Sequence, residues 1–382
     1  MIIFAIETSC DETAVAVMRD GREVLSSELF SQADMHAVYG GVVPEIASRN
    51  HVAVIGRLAD IAIKNAGIAK SDIGAVAVTY TPGLIGALLV GVNFAKGLAM
   101  ALGVPLIPVH HIRGHIAANY IAYPELTPPF LCAIVSGGNS LIADVRGYTD
   151  IRIIGRSRDD AAGECFDKAA RVLGLGYPGG AALDKLAQGG DDSRFLLPRP
   201  VIEGSPYDMS FSGLKTAVVN IVHNAEQRSA TLEKASPDNK PTEEAPSEEA
   251  LPRVSSTNIK SSEEAPPGSV TPDTAPLDKA SLAASLSLAV SDILVPRVMA
   301  AAAEYGRDKI AVAGGVAANS RIRADILKAA GEHGYSLFIP PLNLCGDNAA
   351  MIGCQGYYEY LAGVRAGMDL NAYATMDADR LV

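Results

Sequence analysis

Two similar strand pairs, far apart in the sequence, most constrain what this chain of 382 residues can fold into. Apolar runs at residues 2–6 and 14–18 flank the polar turn ETSCDE. Similar runs at residues 130–135 and 140–145 flank the turn SGGN. Short apolar runs on both sides of a polar turn are typical of β-hairpins. The sequence therefore predicts one hairpin at the beginning of each half of the chain.

A strand, a Gly-containing turn and a helix follow each hairpin. In the first half, the strand at residues 75–78 leads through TPG into an apolar helix that begins near Leu84. In the second half, the strand at residues 309–313 leads through GGVAAN into a helix at residues 320–333. The same units in the same order indicate a duplicated fold. We expect an α/β protein with two lobes of similar core and a cleft between them.

The segment 226–276 differs in composition from the rest of the chain. It contains ten acidic and five basic residues, eight of the 22 prolines and no aromatic residue. Such a segment cannot bury enough apolar surface to offset its chain entropy, so we predict a disordered, low-complexity insertion. The N-terminal lobe is then expected at residues 1–128 and the C-terminal lobe at residues 129–225 and 277–365. A C-terminal helix is a candidate to pack back onto the first lobe.

Charge and cysteine content narrow the class of protein. Five cysteines without a CxxC pair favour a reducing, cytoplasmic compartment over a disulfide scaffold or a thiolate zinc site. The first residues, MIIFAIETSC, lack a basic region and a cleavage signal and are expected to form a strand. The net charge of −11 does not indicate a generic nucleic-acid binder, but −5 of it lies in the segment 226–276. A local basic groove elsewhere is therefore compatible with the composition.

The apolar stretch 84–102 is long enough to resemble a membrane span. It contains Asn93, Lys96 and three glycines, so a buried helix is the better interpretation. No membrane association is expected.

Two Gly-rich turns predict a site for an anion. Gly137 and Gly138 allow close backbone approach, and Ser136, Asn139 and Ser140 add hydrogen-bonding side chains. An ordinary hairpin turn is the alternative. The second Gly pair, in AGGVAANSR, precedes a helix, whose N-terminus favours phosphate or a nucleotide edge. Neither turn matches GxGxxG or GxxxxGK[ST].

Acidic residues and a third Gly pair suggest further parts of such a site. ETSCDETA carries Glu7, Asp11 and Glu12 on a tight turn. Asp167 lies on the predicted helix in DDAAGECFDKAARVLGLGYPGG, and Asp184 follows YPGG by four residues. Taken singly, each acidic residue is explained equally well by a position on a solvated turn or in an exposed charge pair as by a role in ligand binding. Three Gly pairs at the ends of elements nevertheless favour a nucleotide-like ligand in the cleft.

His111 and His115, in VHHIRGHI, predict a metal site. Residues four apart on a helix point the same way, so both imidazoles can reach one ion, although two surface histidines are the alternative. Asp347, in LCGDNAAMIG, offers a third ligand and is also placed to cap a helix. Two histidines and a carboxylate suit Fe(II) or Zn(II) as a Lewis acid. Ile112 stands where an HExxH metalloprotease has its Glu, which argues against proteolysis.

Together these motifs resemble the tRNA N6-adenosine threonylcarbamoyltransferase family, formerly labelled O-sialoglycoprotein endopeptidases or glycoproteases. They occur in family order and cover nearly the whole chain outside the segment 226–276. The matching runs are HAVYGGVVPEIASRNH, the pair His111 and His115, VSGGNS, DDAAGECFDKAARVLGLGYPGG, FSGLKT, AGGVAANSRIR and CGDNAAMIG. The resemblance implies an actin/sugar-kinase/Hsp70-like fold. It also implies transfer of L-threonylcarbamoyl from threonylcarbamoyl-AMP to N6 of the adenosine 3′ of the anticodon, in tRNAs that read codons beginning with A.

The resemblance also implies roles for individual residues. One divalent metal per subunit, with Fe(II) favoured over Zn(II), is expected on His111, His115 and Asp347. The residues implied in donor binding are Ile134, Val135, Ser136, Gly137, Gly138, Asp167, Gly180, Asp184 and Asn319. Asp11 and Asn139 are further pocket candidates, although many relatives carry His where this chain has Asn139. No residue is assigned as a general base.

The implied partners are tRNA, a smaller paralogue of the same fold and a small P-loop ATPase. Candidate tRNA contacts at the cleft mouth are Arg49, Arg113, Arg171 and Lys215. The insertion 226–276, absent from typical members, interrupts no motif. An ATP-dependent kinase or ATPase of the same superfold is the main alternative function, but it leaves the histidine pair unexplained. A non-catalytic paralogue would be expected to lack the two histidines and Asp347.

Overall fold

Residues 1–235 and 276–379 are described by a computed structural model of the chain. Contacts divide the chain into one compact unit, formed by Met1–Val219 and Lys279–Val382, and a second unit formed by Asn220–Asp278. The first unit contains all the described strands and every candidate site residue.

The first half of the chain forms a five-stranded mixed sheet. Its strands are β1 (Ile2–Glu7), β2 (Glu12–Arg19), β3 (Glu23–Ser31), β4 (Ile73–Thr81) and β5 (Leu106–His110). Their order in the sheet is β3-β2-β1-β4-β5. The first three strands are antiparallel neighbours, whereas β4 and β5 run parallel to β1. β1, β2 and β4 are buried along nearly their whole length, as expected for strands covered on both faces.

The second half forms a sheet of the same design. Its strands are β6 (Phe130–Val135), β7 (Ser140–Val145), β8 (Ile151–Arg156), β9 (Lys309–Ala313) and β10 (Ser336–Phe338). Taken from β8, the order β8-β7-β6-β9-β10 corresponds strand by strand to β3-β2-β1-β4-β5. The strand directions correspond as well. The predicted duplication of an α/β core is therefore confirmed.

Helices connect the strands in the described part of the chain. They are α1 (Ala33–Ala37), α2 (Pro44–Asn65), α3 (Ile85–Leu102), α4 (His111–Ala122), α5 (Ala162–Val172), α6 (Gly179–Ala187), α7 (Ser212–Ala235), α8 (Lys279–Glu304), α9 (Ser320–His333), α10 (Leu342–Cys345) and α11 (Ala349–Leu361). Local sequence sets several of their ends. Pro44 occupies the first turn of α2, Gly103 ends α3 with a φ of 66°, and the Asn319 side chain caps α9.

Helices α4 and α11 join the cores of the two sheets. One buried cluster includes residues of both sheets and both helices, namely Ile3, Ile107, Cys132, Ala311, Ile116 and Ile352. Gly114 lets the two helices approach closely, because a Cβ there would lie 2.6 Å from Cδ1 of Ile352. Gly353 and Gly356 bring α11 against Met18 and Ala77 of the first sheet in the same way. This packing fixes the beginnings of α4 and α11 relative to each other.

Helices α2 and α3 cover the other face of the first sheet. They form a second buried cluster with it, which includes Ile55, Leu88 and Phe4. By length and composition, α3 and α8 are apolar enough to cross a membrane, with 33% and 67% of their apolar stretches buried in the structure. Helices that pack in protein cores meet the same criteria, so this is weak evidence for a span. The sequence predicted a buried helix at 84–102, whereas α3 buries one face and exposes Ile85 and Met100.

Some elements differ from the sequence interpretation. The three strands β3, β8 and β10, which lie at sheet edges, were not predicted. Helix α7 continues to Ala235, ten residues into the predicted insertion 226–276. The part of that insertion at 236–275 lies outside the described residues. The lobe boundaries proposed from the sequence stay predictions.

Candidate metal centre and substrate cleft

His111, His115 and Asp347 meet where α4 and α11 begin. His111 is the first residue of α4, His115 lies one turn further along it, and Asp347 stands just before α11. The Nε2 atoms of the two histidines are 3.1 Å apart. Oδ1 of Asp347 lies 3.5 Å from Nε2 of His111 and 3.2 Å from Nε2 of His115. Both histidines are buried, so the cluster is reached from the side of Asp347, which is 22% exposed.

The spacing of these three ligand atoms fits a divalent metal. They lie within 4.8 Å of one another, and no other such group of His, Cys, Asp and Glu occurs in the described residues. Ligand atoms about 2.0–2.2 Å from one ion are roughly 3.0–3.5 Å apart when its geometry is octahedral or tetrahedral. The lone pairs of two nitrogens and a carboxylate repel each other at these distances unless a positive charge lies between them. The donor set therefore fits a bound cation.

Glu7 holds the His111 ring in place. It ends β1, is fully buried, and its Oε2 lies 3.0 Å from Nδ1 of His111. The hydroxyl of Thr79 and the amide of Ser9 each donate a hydrogen bond of 2.5 Å to the Glu7 carboxylate. Because the carboxylate accepts, Nδ1 of His111 carries a proton, and Nε2 is the nitrogen that faces His115 and Asp347.

The neighbours of the three residues cap helices. The His110 side chain accepts a hydrogen bond of 3.2 Å from the amide of Ile112 at the beginning of α4. Asn348 caps α11, since its Oδ1 accepts a hydrogen bond of 3.0 Å from the amide of Met351. The capping role that the sequence offered for Asp347 therefore falls to the next residue, and the Asp347 carboxylate faces the histidines.

Negative charge accumulates around the cluster. Burial opposes ionisation of Asp347, but His111 and His115 lower its pKa to about 2. Burial also opposes a charge on His111, yet the carboxylates of Asp347 and Glu7 raise its pKa to about 9. Burial and the carboxylates of Asp347 and Asp11 raise the pKa of Glu12 to about 9. A site with this surplus of carboxylates attracts cations.

The VSGGNS turn packs closely against two other Gly-containing segments. A Cβ on Gly163, in α5, would lie 2.5 Å from the carbonyl oxygen of Ser136 and 2.7 Å from Cα of Gly137. A Cβ on Gly314 would lie 2.5 Å from the carbonyl oxygen of Val135, and Gly314 has a φ of 90°. The end of β6, the beginning of α5 and the AGGVAAN turn therefore meet at one place. Gly137 itself is exposed, so its backbone is accessible to a ligand.

Three of the predicted donor residues are joined to neighbouring backbone by hydrogen bonds. Oδ1 of Asp167 accepts a bond of 3.0 Å from the amide of Gly180. Oδ1 of Asp184 accepts bonds of 3.1 and 2.8 Å from the amide and hydroxyl of Ser320. Asn319 uses its side-chain oxygen to cap α9, which leaves its NH2 group for other partners. These contacts place α5, α6 and the beginning of α9 side by side.

Asp11 and Asn139 lie at different parts of the cleft. The hydroxyl of Tyr177 donates a hydrogen bond of 3.3 Å to Oδ2 of Asp11, which links the turn after β1 to the segment before α6. Asn139 lines a cavity of about 190 Å³, whose walls also include Gly138, Arg156 and Met376. This cavity draws on both sheets and on the C-terminal segment.

Three predicted contacts need correction or restriction. The side chains of Ile134 and Val135 are 0% and 1% exposed within β6, so only their backbone can face a ligand. Arg113 is 2% exposed and pairs with Glu359 at 3.0 Å. The prediction of a tRNA contact at Arg113 is therefore wrong, because a charge that is both buried and paired is not offered to a polyanion.

Sequence reasoning noticed Glu7 but missed its role. Its position at the end of the apolar strand IIFAIE was a usable signal, since a carboxylate next to a buried strand needs a partner. Thr79 and Tyr177 gave no comparable signal, because their contacts join segments far apart in the sequence.

Solved structures share the architecture. HypF from T. kodakarensis superposes with a TM-score of 0.55 at 14% identity and covers 95% of this chain and 48% of that chain. Full-length HypF in its phosphate- and nucleotide-bound form gives a TM-score of 0.56 at 12% identity and covers 94% of this chain and 55% of that chain. At such identities the likeness shows the fold alone, which is the expected two-lobed actin/sugar-kinase/Hsp70-like fold.

Sequence relatives identify the family. A curated tRNA N6-adenosine threonylcarbamoyltransferase from Clostridium botulinum strain Hall is 44% identical over 370 residues, covering 97% of this chain and 96% of the relative. One from Caldicellulosiruptor saccharolyticus is 43% identical over 372 residues, covering 97% of each chain. The sequence model of the family described as TsaD, tRNA N6-adenosine threonylcarbamoyltransferase, matches residues 23–354. The chain therefore belongs to the tRNA N6-adenosine threonylcarbamoyltransferase family, whose activity is the one that the sequence motifs predicted.

Proposed function

We propose that this tRNA-modifying enzyme takes L-threonylcarbamoyl from threonylcarbamoyl-AMP and transfers it to N6 of the adenosine 3′ of the anticodon, in tRNAs that read codons beginning with A. One divalent metal per subunit, on His111, His115 and Asp347, assists the transfer. The proposal depends above all on one observation, that these three side chains lie within 4.8 Å of one another. Their neighbour His110 shares a cavity with Gly138 of the predicted donor turn.

The chemistry explains what such a site has to supply. An exocyclic adenine amine is a weak nucleophile because its lone pair is delocalised into the ring. N6 attacks the carbamoyl carbon, the new C–N bond forms, the C–O bond to phosphate breaks, and AMP leaves while the amine gives a proton to solvent. The protein supplies orientation and stabilisation of charge. A bound divalent metal would act as a Lewis acid toward the carbonyl group of the donor.

Residues of the second lobe would hold the donor. We assign the phosphate to the backbone amides of Gly137 and Gly138, which follow a strand and are exposed. Asp167 and Asp184 would accept hydroxyl groups of ribose or threonine, since both bonds from Ser320 to Asp184 use Oδ1 and leave Oδ2. Asn319 would donate from its NH2 group to the adenine edge, because its oxygen already caps α9.

Fe(II) is the metal that we propose, with Zn(II) as the alternative. Two histidines and one carboxylate that leave other positions open are typical of non-haem Fe(II) sites. Catalytic zinc sites also use three protein ligands and one open position. Elemental analysis of protein purified without added metal and without oxygen distinguishes the two.

We further propose that the enzyme works in the cytoplasm with a smaller paralogue and a small P-loop ATPase. Helices α2 and α3 expose large apolar side chains: Val52 is 66% exposed, Leu89 36% and Met100 70%. Exposed apolar residues on adjacent helices favour a protein partner, and we assign this face to the paralogue. Val52→Glu with Leu89→Glu should abolish co-elution with the paralogue in size-exclusion chromatography. Leu361→Glu, at another residue with 62% exposure, should not.

Modification of a tRNA that bears the target adenosine tests the main proposal. The assay contains threonine, bicarbonate, ATP and the partner proteins, with or without a chelator. His111→Ala should abolish transfer and metal content while the circular dichroism spectrum is unchanged. His333→Ala, at an exposed histidine in α9, should change none of these. Full transfer by metal-free His111→Ala protein would reject the metal site, and turnover of ATP by the chain alone would favour the kinase or ATPase alternative.

A further inference from the structure

The segment between α1 and α2 exposes an aromatic tip. Val38 is 84% exposed and Tyr39 57% exposed, and they are followed by Gly40 and Gly41. Gly40 has a φ of 68°, a left-handed conformation that glycine adopts without strain. Residues 38–41 form this 38–41 tip. Large apolar side chains with this exposure at one turn mark a contact site for another molecule.

The base of the 38–41 tip is held firmly. The backbone oxygen of His36 accepts hydrogen bonds of 3.0 Å from the amide of Tyr39 and 3.3 Å from the amide of Gly41. The His36 side chain is fully buried, and its Nδ1 accepts a bond of 3.3 Å from the amide of Val43. Tyr39 is therefore presented on a closed turn, at little cost in chain entropy when it binds.

Backbone contacts tie this segment to the candidate active site. The amide of Gln32, just before α1, donates a hydrogen bond of 3.2 Å to the carbonyl oxygen of Asp11. The same turn carries Ser9, whose hydroxyl lies 3.3 Å from Nδ1 of His111. Helix α1 therefore connects the 38–41 tip to the turn that contacts a proposed metal ligand.

A guanidinium group lies beside the tip on the other lobe. Nη2 of Arg171 would be 3.0 Å from a Cβ on Gly40. Arg171 lies one turn after Asp167 on α5, and it is exposed. Lys168 on the same helix pairs with Asp160 and Glu164, whereas Arg171 makes no ion pair within the described residues. An exposed arginine without a carboxylate partner is well suited to a phosphate.

We propose that Tyr39 stacks on an unpaired base of the tRNA anticodon loop while Arg171 contacts the adjoining phosphate. Proteins read single-stranded loops by stacking bases on aromatic side chains and by pairing arginine with the backbone. The enzyme must admit an adenosine of such a loop, and α1 together with the Gln32–Asp11 hydrogen bond joins the 38–41 tip to the turn that contacts His111. The inference rests on the proposed position of the active site at His111, His115 and Asp347.

A protein partner is a less suitable occupant of this tip. Its apolar part is one short turn, whereas the exposed apolar residues of α2 and α3 extend along two helices, and it adjoins Arg171, which has no carboxylate partner within the described residues. A nucleic acid offers both a ring that can stack on Tyr39 and a phosphate that can pair with Arg171. If Tyr39→Ala lowers the affinity for a protein partner and leaves the affinity for RNA unchanged, the tip is a protein-binding site.

Binding of a fluorescent anticodon stem-loop RNA to the full-length chain tests the proposal. Tyr39→Ala should raise the Kd about tenfold, whereas Tyr39→Phe should stay within about twofold of wild type because it retains the stacking ring. Arg171→Ala should raise the Kd and reduce the slope of log Kd against log salt by roughly 0.7–0.9, the value for one phosphate contact. Tyr373→Ala and Arg57→Ala, at other exposed residues, should behave as wild type.

The affinity for threonylcarbamoyl-AMP separates this proposal from the donor site. It should be unchanged in Tyr39→Ala and Arg171→Ala, while KM for tRNA rises in the transfer assay. If the metal proposal fails, His111→Ala will retain transfer activity, and the RNA affinities of Tyr39→Ala and Arg171→Ala will be unaffected. The stacking role would be overturned if Tyr39→Ala bound RNA with wild-type affinity. It would also be overturned if Tyr39→Ala lost the same affinity for a stem-loop whose unpaired bases have been removed.

Discussion

Nδ1 of His111 lies 3.0 Å from Oε2 of Glu7, a fully buried carboxylate located 104 residues earlier in the chain. This contact crosses from the end of β1 to the beginning of α4. It fixes the ring and its tautomer, so that the opposite nitrogen is aimed at His115 and Asp347. The geometry of the proposed metal site therefore depends on a residue that is not itself one of the ligands.

Glu7→Gln should weaken metal binding about 10- to 100-fold, the usual effect of losing a partner that orients a histidine ligand. A neutral amide is a weaker acceptor for the Nδ1 proton and permits the other tautomer. Titration of metal-free protein in competition with a chelating dye measures the affinity. Glu23→Gln, at an exposed carboxylate in β3, is the matched control. Unchanged metal affinity in Glu7→Gln would limit Glu7 to a packing role.

Arg113→Met should lower the free energy of unfolding by about 3–5 kcal/mol, because it leaves the Glu359 carboxylate buried without its cation. The two side chains are 3% and 4% exposed and are 3.0 Å apart. Denaturation in urea measures the loss. Replacing both residues by Met should recover part of it, because no uncompensated charge then remains.

The exposed pair Arg146 and Asp150 gives the control for that experiment. Its side chains are 45% and 60% exposed, so Arg146→Met should change the free energy of unfolding by no more than about 1 kcal/mol. A stable Arg113→Met protein with weakened tRNA binding would instead restore the surface role that the sequence suggested.

The fold was predictable where the relevant signal is local. The hairpins, α3 and the strand–turn–helix units follow from apolar periodicity, proline and glycine within each segment. The strand β3 was not predictable in this way, because its run EVLSSELFS alternates polar residues at the edge of a sheet and is only partly buried. The close fit of α11 against α4 depends on Gly114, whose missing Cβ matters only because Ile352 of α11 packs against it.

The site was predictable in its components but not in its connections. Spacing on one helix indicated His111 and His115, and the run LCGDNAAMIG offered Asp347 as the third ligand. Nothing local shows that Arg113, which lies two residues from each of these histidines, is buried against Glu359, 246 residues away. The contact of Asp184 with Ser320 is equally long-range, since 136 residues separate the two. Such contacts form only when distant segments of the folded chain meet, so no local pattern reveals them.

Gly163→Ala should displace the VSGGNS turn and raise KM for the donor, with a loss of about 1–3 kcal/mol in the free energy of unfolding. A Cβ at this position would lie 2.5 Å from a backbone oxygen, which cannot move without the turn. Steady-state kinetics with varied donor checks the effect. Gly56→Ala, in α2, has no atom within 4 Å of the new Cβ and should stabilise the protein by up to about 1 kcal/mol. A donor KM at the wild-type value in Gly163→Ala would remove the turn from the donor site.

Asp208 supplies a pH-dependent part of the stability. It is 3% exposed, accepts a hydrogen bond of 2.8 Å from the amide of Arg156 and one of 2.6 Å from the hydroxyl of Ser205, and pairs with Arg158. Burial opposes its ionisation, but these partners lower its pKa below the ordinary value. A carboxyl group whose pKa is lower in the folded than in the unfolded state stabilises the fold above the unfolded pKa of about 3.9. That contribution disappears as the pH falls through the folded pKa.

Asp208→Asn should therefore lower the free energy of unfolding by about 1–3 kcal/mol near pH 7, because the amide replaces a charged acceptor of several hydrogen bonds. The difference from wild type should narrow as the pH falls below about 4, where the wild-type carboxyl group begins to take up its proton. Urea denaturation at a series of pH values measures both curves. Asp60→Asn, at a surface carboxylate that is 71% exposed, should follow the wild-type curve throughout. Only loss of the Asp208 charge makes the difference in free energy of unfolding between Asp208→Asn and wild type depend on pH. A difference that stays constant down to the lowest pH would therefore show that this charge does not stabilise the region.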